Sequence, residues 1–530
     1  MTQEEKTVSF QDFLDKGQAF FDEKKYIEAI KLYKIALVMY GKNLEKHSLA
    51  GLYIRIANSY YSLDDKDKAA LYYEKYLELY PEGQASVFTR LAHIYYYLDS
   101  DKSIDYHNKS LNLSVNKYDA SCKLFAMTKS SFYSQQDIKE ESEYEVDLLK
   151  NTLYKNVRPY THKNKKNKKS EKLNIGYLSS DCYAHTMMNY ILPIWENHNK
   201  EEFNFVIFNG AEKDDATTEK IRNTGIKIVP CANKNDDVIA KLIYDEKIDI
   251  LIDLGGYTHM KVFSAFYKPA PIIISYLGYL NTLGMKEVDY ILTDRYTIPE
   301  EYADLYTEKP LYLDKGYQIF AEKSLPEVVK CPYDENGYIT YGCFNCSSKL
   351  SDATIFIWSQ LLLKDKESKL LLYRTQFTKR VIRALKIKFA KYGIGEDRLI
   401  FNNKALNPHF KAYSMADIAL DPYPFSGMSI AIEAALMGVP TITLVGEGMQ
   451  SRGAGRINSL IGLDKFNTTS GEEYIAAALK LSKDKEKLKV LRVTLRDKVN
   501  NSELRVNPQD FALDLESKFR KIWQDFINSP

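Results

Sequence analysis

The chain's 530 residues leave room for two to four domains, each large enough to bury a core. Basic and acidic residues nearly cancel (73 against 71, formal net charge +2), so no global field argues for nucleic acid or an anionic membrane. The opening MTQEEKTVSFQDFLDKG is too polar for a secretory leader, and no run of about 18 apolar residues offers a bilayer span. Six cysteines (Cys122, Cys182, Cys231, Cys331, Cys343 and Cys346) are scattered; Cys343 and Cys346 make a CxxC, but no second pair or nearby histidine completes a zinc set. Buried free thiols, no metal and a cytoplasmic setting are the expectation.

Residues 1–157 read as a helical repeat array. GQAFFDEKKYIEAIKLYKIAL, ANSYYSLDDKDKAALYYEKYLELYP and AHIYYYLDSDKSIDYHNKSL share one phase: a small residue (Gly17, Ala57, Ala92), an aromatic three later (Phe20, Tyr60, Tyr95), and a small residue about twelve later (Ala29, Ala69, Ser103). That spacing lets two antiparallel helices approach closely, and it resembles the tetratricopeptide repeat. Residues 117–155 are expected to add a degenerate closing pair. Stacked repeats leave a concave surface for protein or peptide partners and carry no chemistry themselves. His93 and His107 read as packing residues there, and the tyrosines as core.

Residues 158–172 contain THKNKKNKKSEK, with six lysines from Lys163 to Lys172 and no apolar residue until Leu173. The reading is a solvated link. Residues 173–330 then alternate strand-like runs with amphipathic segments: LNIGYLS, FNFVIFN, IKIVPC, IDILIDLGG, PIIISYLGY and VDYILTD. A mostly parallel sheet covered on both faces follows from that order. Polar residues gather where the strands end: Ser179, Ser180, Asp181 and His185 after the first, and Asp253, Gly255, Gly256 and Thr258 after the fourth. Ligands of open α/β sheets sit beyond those carboxyl ends. His185 there is either a general base, a donor to phosphate or a sugar hydroxyl, or a structural residue. No GxGxxG follows a strand of this domain, which disfavours a dinucleotide cofactor.

The pattern restarts in residues 331–530 with ITYGCFN, KLLLYR and LIFNN, and reaches HFKAYSMADIALDPYPFSGMSIAIEAALMGVPTITLVG at 409–446. Strand (IALD), small-residue turn, helix (SIAIEAALM) and strand (TITLVG) is the arrangement that sets a helix N-terminus beside an anion, and equally that of an ordinary βαβ unit. Lys349 lies at a strand-to-helix turn, where a lysine neutralises a diphosphate or simply faces solvent. GEGMQSRGAGRINSL carries Arg452 and Arg456 on a Gly-rich turn suited to phosphate or base. Helical segments at 473–502 and 508–527 close the chain.

A tetratricopeptide array followed by two Rossmann-like domains resembles the O-GlcNAc transferase and SPINDLY family of protein O-glycosyltransferases, over nearly the whole chain. GYLSSDCYAHTMMNYILP is similar to the family's opening strand, with Asp181 and His185 in register; DLGGYTHMKVFSAFYKPAPIIISYLGYLNTLGMKEVDYILTD is similar to its central block. CFNCSSKLSDATIFIW is similar to its strand–turn–lysine element, and His185, Asp249 and AYSMADIALDPYPFSG lean towards the SPINDLY branch. The resemblance implies a helical solenoid followed by a B-type glycosyltransferase fold. It implies inverting, metal-independent transfer to Ser or Thr of proteins, with GlcNAc from UDP-GlcNAc as the sugar or fucose from GDP-fucose as the alternative. The nucleotide sugar is a substrate, so no cofactor is expected, and self-association stays open. By position, Lys349 would stabilise the leaving diphosphate, His409 contact the nucleotide, and Glu433 take the place of an acidic ribose ligand. Ser429 and Arg452 would join the donor site. His185 would lie near the reacting sugar or acceptor, with Asp181, Asp249 and Thr258 in the vicinity. Three departures stand out. Gly427-Met428-Ser429-Ile430 replaces a threonine-rich turn, Cys346 stands where the O-GlcNAc branch has glutamine, and Asp249 where it has histidine. Met428 and Ile430 also motivate a competing reading, a catalytically silent scaffold.

Overall fold

The computed structural model describes residues 9–167, 172–320 and 325–529, so part of the lysine run at 163–172 lies outside the described residues. The chain divides into two compact units, Met1–Val115 and Asn116–Pro530.

The first unit is built from six helices, α1 (Phe10–Asp22), α2 (Tyr26–Tyr40), α3 (Lys46–Ser62), α4 (Lys66–Leu79), α5 (Ala85–Tyr95) and α6 (Ser100–Leu113). They pack in consecutive pairs, α1 on α2, α3 on α4 and α5 on α6. Small residues make the pairing possible: Ala29, Ala36, Ala57, Ala69 and Ala92 are wholly buried. A Cβ on Gly17 would come within 2.3 Å of the Tyr33 ring, so only glycine fits that crossing. Tyr33, Tyr73 and Tyr76 are core, with the Tyr73 hydroxyl donating to Asn58 Oδ1 at 2.7 Å. His93 pairs its Nδ1 with the Tyr61 hydroxyl at 2.5 Å, a packing role.

The second unit begins with α7 (Lys117–Met127) and α8 (Gln135–Thr152), the helices that the sequence reading attaches to the array. Their partners explain the difference. Gln135 Nε2 donates to the buried Asn281 Oδ1 at 2.8 Å, and Phe125 packs against Tyr279, ring centroids 5.9 Å apart. The described start of the basic segment is also docked rather than free. Tyr160 stacks on Tyr244 (4.0 Å, 12°), His162 Nε2 meets Lys268 O, and Lys165 Nζ donates to Asp249 Oδ1 at 2.8 Å.

Seven parallel strands form the first sheet: β1 (Leu173–Ser179), β2 (Phe203–Asn209), β3 (Lys227–Pro230), β4 (Ile250–Asp253), β5 (Ile272–Ser275), β6 (Tyr290–Thr293) and β7 (Lys309–Tyr312). Their order is β3-β2-β1-β4-β5-β6-β7, and helices α9 (Met188–Asn197), α10 (Ala216–Asn223) and α11 (Asp236–Asp245) connect the first four. The second sheet contains β8 (Thr340–Cys343), β9 (Lys369–Tyr373), β10 (Leu399–Asn402), β11 (Ile418–Leu420), β12 (Thr441–Leu444) and β13 (Asn467–Thr468), in the order β10-β9-β8-β11-β12-β13. Its helices are the one-turn α12 (Tyr333–Asn336), then α13 (Asp352–Lys364), α14 (Lys379–Ala390), α15 (Met428–Leu436), α16 (Gly453–Leu460), α17 (Gly471–Lys483) and α18 (Lys485–Asn500), and the last helix, α19 (Pro508–Asn528), packs back on α9 of the first domain. Every strand pair is parallel, and the strand cores are continuous apolar runs because both faces are covered.

Each sheet therefore reverses direction once, between β1 and β4 and between β8 and β11. Those switch points open crevices at the strands' carboxyl ends. In the first sheet the crevice is set by a close backbone approach: a Cβ on Gly278 would lie 2.0 Å from Leu254 O. The neighbouring Leu277 holds φ at +69°, a conformation that stores strain. Because the obstacle is backbone, Gly278→Ala is expected to destabilise the second unit by about 3 kcal/mol. Urea unfolding would read this as a lower midpoint with an unchanged slope, and an unmoved midpoint would contradict the close approach.

Candidate functional site

A cavity of about 670 Å³ lies between the two switch points. Its second-domain wall comes from residues just past β8, β9 and β11: Asn345, Cys346 and Lys349, then Arg374, then Phe425 to Ile430. Its first-domain wall is His185, Met187 and Tyr190 after β1, and Leu277 and Gly278 after β5.

The turn leading into α15 is organised by a buried carboxylate. Asp421 accepts from Ser426 Oγ (2.7 Å), Gly427 N (2.7 Å) and Thr443 Oγ1 (2.8 Å). Burial raises its pKa above the ordinary carboxylate value, and those three bonds oppose the shift. Ser426 Oγ also accepts from Ala454 N at 2.8 Å, which ties the turn to α16. With the turn held from below, Gly427 at the N-cap offers no side-chain cap, and the first residues of α15, Met428, Ser429 and Ile430, line the cavity. Lys349 Nζ donates to Ser426 O at 2.9 Å and to Asn345 Oδ1 at 3.3 Å, and sits 4.5 Å from the Phe425 ring centroid.

Burial lowers the pKa of Lys349, against the pull of Cys346 and Asp421. Lys129, after α7, is also buried, with Nζ 3.7 Å from the Phe125 centroid, and burial pushes it down to about 7. Burial pushes the Cys346 thiol up, but Lys349, Lys129 and Arg374 outweigh it and hold the thiol below its usual value. The resulting field favours an anion.

Glu433 faces the same cavity from the second turn of α15. Its Oε2 accepts from the Tyr413 hydroxyl at 2.9 Å and lies 3.3 Å from His409 Nε2, holding that imidazole at the cavity edge. On the opposite wall, the Met187 amide donates to His185 Nδ1 at 3.3 Å. His185 Nδ1 thus faces both the Met187 amide and a carboxylate. Asp181 stands behind it, with Oδ2 3.3 Å from His185 Nδ1 and Oδ1 3.1 Å from His259 Nε2. Tyr190 of α9 reaches across to hydrogen-bond the Ser429 hydroxyl.

Of the residues singled out in the sequence, the cavity brings together His185, Lys349, His409, Ser429 and Glu433, with Asp181 directly behind His185. Three others lie elsewhere. Asp249 precedes β4, at the end of the strand opposite the crevice, where it is wholly buried and accepts from Asn174 N and Lys165 Nζ. Thr258 is exposed and its hydroxyl donates to Gly255 O at 2.6 Å. Arg452 spends its guanidinium on Tyr296 O and Gly446 O, at 2.7 and 2.8 Å, bracing one domain against the other. The sequence reading passed over Tyr190, Asn345, Arg374, Lys129 and His259. Asn345 and Arg374 directly follow strands, and the strand-end rule applied to every strand would have found them.

Two doubly wound domains that face a shared cavity with their strand ends have the architecture of B-type glycosyltransferases. The chain belongs to Glycosyl transferase family 41, whose sequence profile matches residues 145–330 and again 329–515. It is 28% identical over 368 residues to the "Probable UDP-N-acetylglucosamine--peptide N-acetylglucosaminyltransferase SPINDLY" of Oryza sativa subsp. japonica, covering 67% of this chain and 39% of that protein. It is 29% identical over 368 residues to the SEC protein of Arabidopsis thaliana given the same enzyme description, covering 67% of this chain and 37% of that one. The chain thus aligns with about two-fifths of the length of these curated relatives. Among solved structures, a mutant of the Thermobaculum terrenum O-GlcNAc transferase shares the fold, with a TM-score of 0.81, 23% identity and 99% of each chain covered. No helix among the described residues is long and apolar enough to cross a membrane.

Burial lowers the His185 pKa below 6.5; Asp181 raises it, and His259 and Lys213 lower it further. Histidine-selective NMR titration should therefore place the His185 midpoint below 6.5. Asp181→Asn should move it further down, since a negative neighbour is lost, and His259→Ala should move it up. Shifts of the opposite sign would contradict this electrostatic assignment.

Proposed function

We propose that this chain is an inverting protein O-glycosyltransferase that moves GlcNAc from UDP-GlcNAc to Ser or Thr hydroxyls of proteins. The observation that carries the reading is Lys349 beside the uncapped start of α15, at the second sheet's switch point. Transfer breaks the bond between the anomeric carbon and the diphosphate oxygen while the acceptor oxygen bonds the opposite face of that carbon, its hydroxyl proton passing to the departing diphosphate or to water. Negative charge then builds on the departing diphosphate. A fixed ammonium and backbone N–H groups in a cavity shielded from water stabilise such charge more in the transition state than in the ground state. Those groups supply the electrostatic role themselves, so the reading is metal-independent.

In this reading His409, held by Glu433, contacts the nucleoside, and Glu433 accepts from a ribose hydroxyl; the His409–Glu433 contact in the cavity wall supports it. Met428 and Ile430 remove side-chain hydroxyls from the turn but leave its N–H groups, and an anion site at a helix start needs no particular side chain. His185, on the cavity wall contributed by the first domain, suits hydrogen bonding to an oxygen of the sugar or acceptor. The names of the curated relatives support the same reaction class. The helical pairs of the first unit supply a surface for acceptor proteins, and the reading carries a cytoplasmic setting with it.

The reading is tested by incubating the full chain with labelled UDP-GlcNAc, and separately GDP-fucose, in a protein lysate. Protein labelling from UDP-GlcNAc is expected, falling about 100-fold or more in Lys349→Ala while nucleotide binding persists. Labelling from GDP-fucose alone would change the donor, and saturable binding of neither nucleotide would overturn the enzyme reading.

A further inference from the structure

Of the residues Gly427 to Ile430 at the start of α15 only Ser429 carries a hydroxyl, and that hydroxyl is bonded to a residue of the other domain. Tyr190 projects from the first turn of α9 into the cavity wall, is 5% exposed, and packs beside Phe320 with ring centroids 6.4 Å apart. Next to it, the Tyr317 hydroxyl donates to Met428 Sδ at 3.0 Å. Two tyrosines of the first domain thus contact the two residues that begin α15.

Two hydroxyls that share one hydrogen bond have one hydrogen left over. A phenol is the stronger acid of the pair, so Tyr190 donates and Ser429 Oγ accepts. Burial, opposed by the bond to Ser429, pushes the Tyr190 phenol up to about 12, so it keeps its hydrogen across working pH. The remaining Ser429 hydrogen is then free to turn to the cavity, which the helix start lines. A hydroxyl that accepts one hydrogen bond donates a stronger one, so the relay raises the strength of the single hydroxyl present.

We propose that Tyr190 is a positioning residue that acts through Ser429 on the diphosphate of the nucleotide donor, a hydroxyl relay from the first domain standing in for the hydroxyls absent at 428 and 430. This rests on the reading of the cavity as a nucleotide-sugar site. The relay makes diphosphate affinity depend on the two domains being apposed, because its two hydroxyls come from opposite walls.

Calorimetric titration of the full chain with UDP, GDP, UMP and GMP tests it, using wild type, Tyr190→Phe, Ser429→Ala and the double variant. Tyr190→Phe is expected to weaken diphosphate binding about tenfold and monophosphate binding by less than about twofold. The double variant should bind the diphosphate no more weakly than Ser429→Ala alone, because Tyr190 acts only through that hydroxyl. Equal losses on mono- and diphosphate, or losses that multiply in the double variant, would assign Tyr190 a merely structural role and overturn the proposal. If Tyr190→Phe does not fold, Ser429→Ala alone decides: it must discriminate diphosphate from monophosphate by the same factor. Wild type that binds neither nucleotide overturns the nucleotide-sugar reading itself, whereas wild-type binding that Tyr190→Phe leaves unchanged overturns the relay alone.

Discussion

The carboxylate of Asp421 is the constraint on which the second-domain wall of the cavity depends. Three groups converge on it: a serine hydroxyl, a backbone amide and a threonine hydroxyl from the neighbouring strand β12. Its backbone oxygen takes a further bond from the Tyr474 hydroxyl at 3.1 Å. A buried carboxylate is costly unless its acceptor capacity is used, and here its partners are the residues that turn the chain from β11 into α15. That turn fixes the carbonyl of Ser426 that receives Lys349, and leaves the helix start without a side-chain cap. One buried anion, placed under the turn, thus prepares an anion site above it.

The two sheets supply the rest by topology. Each reverses strand order once, and the loops at those reversals meet in one cavity. Lys349 and Arg374 line its second-domain side, and Lys129 from the connection after α7 acts with them on Cys346. Buried ammonium groups near one another repel, and burial lowers both lysines. An anionic ligand would relieve that repulsion.

Much of this was legible in the residue order. β1 and β2 span Leu173–Ser179 and Phe203–Asn209, the limits their apolar runs predict, because a fully buried parallel strand is a continuous apolar block. β7 and β13 escaped notice: KPLY contains a proline and begins with lysine, as an edge strand tolerates, and β13 is two residues long. The helices α7 and α8 carry the same period as the array, so periodicity could not say that Gln135 and Phe125 seek partners beyond residue 270. The expected 473–502 helix is interrupted at Asp484, which caps α18 through Lys487 N. At the site, strand-end residues were found because position alone marks them. Asp249 entered through the family resemblance, whereas β4 begins after it at Ile250, which puts the carboxylate at the far end of the strand. Tyr190 is invisible to any local pattern, since its meaning comes from a hydroxyl 239 positions away in the other domain.

The central claim is that the start of α15 and Lys349 together hold a diphosphate. A crystal structure of the full chain with bound UDP tests this most directly. The β-phosphate should lie against the N–H groups of Met428, Ser429 and Ile430, within hydrogen-bond reach of Lys349 Nζ, with the nucleoside towards His409 and Glu433. UDP bound elsewhere, or bound in the cavity with its phosphates turned away from α15, would contradict it.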